Sequence, residues 1–102
     1  MEVGIILFVL VSYDINTTTL EGKRRLRKVA KECLNYGQRV QNSVFECKVD
    51  EGQLIVLKNK LYCIIDKGKD NLRFYRLGKN YKSTVESFGI DISYDIEGPL
   101  IL

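Results

Sequence analysis

The chain has 102 residues, 45% of them hydrophobic and 28% charged, enough for one compact core and too few for a second domain. It holds no histidine, which excludes Ser/His and Cys/His nucleophilic pairs, histidine metal sites and the usual general base. Any chemistry therefore falls to carboxylates, tyrosines or basic groups. The net charge is only +3, yet it is unevenly spread: residues 20–34 carry six basic side chains against Glu21 and Glu32, and beyond Lys82 there are four acids and no base.

In chain order, the first feature is the apolar run Val3 to Val11, nine residues long, whereas a membrane-crossing helix needs roughly 20. No basic segment or small-residue cleavage motif accompanies it. It reads as a buried strand from Ile5 to Tyr13 that ends by presenting Asp14 at a sheet edge, in a cytoplasmic protein with no membrane association. Thr18 with Glu21 makes a capping box that opens a first helix, expected to run to about Tyr36 and stop at Gly37. Leu26, Val29, Ala30, Cys33 and Leu34 recur at helical spacing as its buried stripe, which leaves Lys23, Arg24, Arg27, Lys28 and Lys31 as a basic ridge on the opposite face.

Gln38 to Val49 is rich in β-branched and aromatic residues, with imperfect alternation at Asn42 and Ser43. A tight hairpin and a bulged long strand both fit, and two short strands are preferred. Asp50 with Gln53 forms a second capping box, and Leu54, Leu57, Leu61, Ile64 and Ile65 give the apolar face of a second helix. Asp66 to Asp70 is its exit loop, and Leu72 to Leu77 is a further strand closed by Gly78. The order βαββαβ predicts an α+β, ferredoxin-like core over residues 1–80. Residues 81–102 exceed that fold: Ile90, Ile92, Tyr94 and Ile96 alternate with Asp91, Ser93, Asp95 and Glu97, predicting an extra C-terminal strand. Pro99 to Leu102 ends in an apolar tip that a second subunit would cover. Cys33, Cys47 and Cys63 are odd in number and set in apolar patterns, and are expected as reduced core thiols.

Asp14 has two readings. An Asp at the end of an apolar strand commonly serves as a cap or turn former; alternatively it is a ligand for a hard cation, which needs only one or two protein carboxylates. The ridge of helix one is either a solvated face or a contact for a phosphate backbone, with Arg39 and Arg73 as possible extensions of it. Phe45 reads as core. Tyr13 either packs or orients a phosphate through its hydroxyl.

Three segments carry a resemblance. Ser12-Tyr13-Asp14, the run Arg24 to Lys31, and Tyr36 to Cys47 with its Gln-Asn-Ser-Val-Phe-Glu-Cys stretch resemble the CRISPR-associated protein two family, its type I-C branch especially. Asp70 to Gly78 and Pro99-Leu100-Ile101 extend the match over nearly the whole chain. The resemblance implies a homodimer that works with the CRISPR-associated integrase in spacer acquisition, and metal-dependent cleavage of RNA or double-stranded DNA. It implies Asp14 as the ligand of Mg²⁺ (or Mn²⁺), paired across the dimer, with Tyr13, Arg39 and Phe45 linked to activity and the C-terminal segment crossing to the partner's sheet. Three rivals stand beside a nuclease: a non-catalytic DNA-binding scaffold for the integrase, a ribonuclease toxin of similar fold, and a regulatory oligomer without a nucleic-acid role.

Overall fold

The computed structural model describes residues 5–77 and 85–89. Seven elements follow in order: β1 (Leu7–Asp14), α1 (Leu20–Leu34), β2 (Gly37–Gln41), β3 (Val44–Val49), α2 (Glu51–Ile64), β4 (Asn71–Leu77) and β5 (Val85–Gly89). The strands form one antiparallel sheet in the order β2-β3-β1-β4-β5. The first four strands have the ferredoxin-like arrangement expected from the sequence, with β5 added beside β4.

The apolar first strand is placed centrally because it has neighbours on both sides: Val11 faces Phe45 on β3 and Phe74 on β4. Strand alternation sends Val9, Val11 and Tyr13 to the helix-covered face, where they meet Phe45, Cys47, Val49, Leu72 and Phe74 with α1 residues Val29 and Cys33 and α2 residues Leu54, Leu57 and Leu61. These residues form one continuous core. The even-numbered residues of β1 lie on the other face, where Phe8 is 47% exposed and its cross-strand neighbour Leu77 is 41% exposed. No helix of the described residues covers that face, and none is long and apolar enough to cross a membrane.

Several boundaries differ from the sequence reading for local reasons. Ile5 and Ile6 precede β1 and are exposed, since pairing starts only at Leu7 with Val49 and Phe8 with Leu77. Asp14 ends the central strand, opposite Asn71, and so stands at the sheet's rim and not on an edge strand. Thr19 caps α1, its hydroxyl accepting from the Gly22 N–H at 3.1 Å; Thr18 is instead turned back toward Asn16 Oδ1. Helix α1 ends at Leu34 with Asn35 as its cap. The Asp50–Gln53 capping box is formed reciprocally, at 2.7 and 2.9 Å. The hairpin reading of residues 38–49 holds, with a register shift between Arg39 and Gln41. Cys33 and Cys47 are buried, but Cys63 is exposed on α2. The strand expected from Ile90 to Ile96 and the apolar tip lie outside the described residues.

Candidate metal and nucleic-acid site

Because β1 alternates, Tyr13 and Asp14 face opposite sides of the sheet although they are adjacent in sequence. Tyr13 is buried, its ring stacked near Phe45 with centroids 6.2 Å apart. The Arg39 guanidinium lies 4.9 Å from the Phe45 ring centre, a cation–π contact. Tyr13 Oη and Arg39 both donate to the Asn42 carbonyl at the β2–β3 turn. Three of the residues singled out in the sequence thus form one stack beneath the hairpin. Burial raises the Tyr13 pKa, opposed by the positive charge of Arg39, so the phenol stays protonated at neutral pH.

Asp14 stands apart from that stack. It is exposed, and it makes no hydrogen bond or ion pair with the described residues, so its carboxylate is free to engage an external group. No cluster of three or more Cys, Asp or Glu side chains that would hold a metal occurs among the described residues. A lone free carboxylate suits a hard dication only as one of very few protein ligands, with water and a second carboxylate completing the shell.

The ridge of α1 is exposed as the helical spacing requires. Lys23, Arg24, Arg27, Lys28 and Lys31 fall on one arc of about 140° at 100° per residue, all five exposed and none ion-paired with a described residue. Arg39 is exposed at the hairpin end. Arg73, by contrast, sits opposite Ser12 on β4 and is only 6% exposed, so it does not extend the basic surface.

The sequence reading missed a polar cluster beside Asp14. Asp70 is fully buried and accepts four hydrogen bonds: from Arg25 Nε at 2.7 Å, Arg25 Nη2 at 3.2 Å, the Asn16 N–H at 2.9 Å and the Asp66 N–H at 2.8 Å. Burial acts to raise its pKa, but the Arg25 bonds and the two backbone N–H groups outweigh burial and hold the carboxyl below the ordinary 3.8. One signal was available: Arg25 lies off the arc of the other basic residues, on the side turned toward the sheet.

Comparison with known proteins agrees with this architecture. The family profile described as CRISPR associated protein Cas2 matches residues 7–85. The chain is 59% identical over 95 residues to the CRISPR-associated endonuclease Cas2 of Halalkalibacterium halodurans, covering 93% of this chain and 99% of that protein. It is 54% identical over 96 residues to the CRISPR-associated endoribonuclease Cas2 of Nitratidesulfovibrio vulgaris, covering 94% of each. Among solved structures, Streptococcus pyogenes Cas2 superposes with a TM-score of 0.67 at 55% identity, over 80% of this chain and 99% of that one. With the matched profile spanning β1 to the start of β5, and these relatives covered over nearly their whole length, the chain belongs to the CRISPR-associated Cas2 family.

Proposed function

We propose that the chain is a metal-dependent phosphodiesterase subunit of CRISPR adaptation, active on RNA or double-stranded DNA and working as a homodimer beside the CRISPR-associated integrase. The observation that carries this reading is Asp14: a free, exposed carboxylate at the rim of the sheet, on the same face as the exposed Phe8 and Leu77. A second copy seated on that apolar face would cover it and supply a second Asp14 on the same side. Relatives named endonuclease and endoribonuclease support cleavage of nucleic acid. The Cas2 family favours this reading over the toxin and the regulatory oligomer.

Two Asp14 carboxylates would hold Mg²⁺ or Mn²⁺, which when bound acidifies a water and neutralises charge on the phosphate. The chain's own groups do the rest. Lys23, Arg24, Arg27, Lys28 and Lys31 attract the sugar–phosphate backbone without reading bases, and Arg39 extends that attraction from the hairpin while Phe45 and Tyr13 hold it in place. With no histidine in the chain, no imidazole protonates the leaving oxygen, which predicts slow turnover.

The test is cleavage of matched RNA and duplex DNA by wild type and Asp14→Ala, with and without Mg²⁺. Wild type should cleave only with metal, and the variant should not cleave. Equal cleavage by the two proteins would refute the assignment of Asp14.

A second reading draws support from the ridge itself, an exposed basic surface suited to holding duplex DNA for the integrase whether or not Asp14 is used. Spacer acquisition that survives Asp14→Ala in cells would favour this scaffold role. Acquisition lost in a variant that still folds and dimerises would count against it.

A further inference from the structure

Asn16, two residues beyond Asp14, is gripped from three sides. Its N–H donates to Asp70 Oδ1 at 2.9 Å, and its carbonyl accepts from Arg25 Nη2 at 3.4 Å. The same carbonyl packs so closely on Gly22 of α1 that a Cβ there would stand 1.9 Å from the oxygen. Asp70 is also directly followed by Asn71, the cross-strand neighbour of Asp14. The carboxylate side chain of Asp70 is thus fixed at both ends: by its own backbone entering β4, and by bonds to α1, to the β1 exit loop and to the α2 exit loop through Asp66. Arg25 is the one basic residue of α1 turned inward, and it ties the helix bearing the phosphate-binding ridge to the strand end bearing Asp14.

We infer that Arg25 and Asp70 form a positioning clamp, which holds the Asp14 carboxylate in place and at a set relation to the basic ridge of α1. The inference rests on the reading of Asp14 as a metal ligand. Neither residue touches metal or phosphate; each acts through Asn16 and the end of β1. A fork of two donors from Arg25 to Asp70 fixes orientation in a way that a single ammonium does not. Loss of the fork should therefore loosen Asp14 even when the charge on α1 is kept.

The experiment uses the full-length protein and three variants: Arg25→Lys, Asp70→Asn and, as reference, Asp14→Asn. Amide hydrogen exchange of the segment around Asn16 reads the clamp without metal or substrate, and Mn²⁺ binding to the protein alone reads the carboxylate. Arg25→Lys and Asp70→Asn should speed exchange at Asn16 and weaken Mn²⁺ binding and kcat by about 10- to 100-fold, the usual effect of disturbing the groups that orient a metal ligand. Metal-free duplex binding should stay within about twofold for Arg25→Lys, since the ridge charge is unchanged.

Faster exchange with Mn²⁺ binding and kcat unaltered would overturn the clamp. A fall in kcat matched by an equal fall in metal-free binding would also overturn it, because the damage would then be general. If Asp70→Asn does not fold, Arg25→Lys decides alone. Cleavage and Mn²⁺ binding kept in Asp14→Asn would remove the parent reading and the clamp's role with it. Both lost in Asp14→Asn but kept in the other two variants would overturn the clamp only.

Discussion

Asp70 illustrates how a buried charge is tolerated: both oxygens are used, by a guanidinium and two backbone N–H groups. Its pKa lies below the ordinary 3.8 in the folded chain, so its contribution to stability is complete above that value and disappears as pH falls through the lower, folded one. Thermal stability of wild type should therefore fall as pH drops below about 4. Asp70→Asn should melt lower at neutral pH and lose less over the same acid window, as calorimetry across pH 2–7 would show. Burial also pushes the Cys33 thiol up to about 12 and Cys47 to about 11, so neither forms appreciable thiolate at neutral pH. The exposed Cys63 should be the thiol that an alkylating reagent labels in the folded protein, with all three cysteines labelled in denaturant.

The two helices make opposite predictions for the same substitution. At Gly22 the helix propensity gain of about 1 kcal/mol for alanine is overridden, because its Cβ would meet a backbone oxygen at 1.9 Å; Gly22→Ala should lower the melting temperature. At Gly52, in the first turn of α2, the added Cβ meets only the Asp50 carboxylate at an ordinary 3.5 Å. There Gly52→Ala should stabilise by up to about 1 kcal/mol in urea unfolding. Both helices, the hairpin and strands β1 and β4 were readable from the sequence because each rests on local periodicity or a local cap: Asp50 with Gln53, the stripe Leu54-Leu57-Leu61, and the alternation of β1; β5, at Val85–Gly89, was not. The exit of β1 was not readable in the same way. Pattern favours Thr18, with Glu21 three residues on, yet Thr19 is the cap, because Asn16 engages Thr18 and is itself held by Asp70 some fifty residues away. Likewise the resemblance picked out Asp14, Tyr13, Arg39 and Phe45 together, but it did not separate the stack of Tyr13, Phe45 and Arg39 from the exposed carboxylate on the other side of the sheet.

At the scale of the whole molecule, the sheet divides two tasks. Its helix-covered side holds the core, with the basic ridge of α1 beyond it; its other side carries exposed apolar residues and ends in Asp14. If the ridge carries nucleic-acid binding, affinity should fall linearly in log salt with a slope of about 0.9 per phosphate neutralised. Lys28→Ala should then flatten that slope by about one unit for each chain in contact with the duplex, with little change in base preference. Fluorescence titrations at several salt concentrations would measure this, and a slope that Lys28→Ala leaves untouched would place binding elsewhere. The open face makes a second demand on the proposed function, in which two chains meeting there would share their Asp14 carboxylates. The most direct measurement is therefore the stoichiometry of Mn²⁺ binding by calorimetry, for wild type and Asp14→Ala, beside their assembly state by light scattering. A dimer is expected in both proteins, with a single dication shared by two chains in wild type and none in the variant. Binding of one dication to each chain, or binding unchanged by Asp14→Ala, would contradict it.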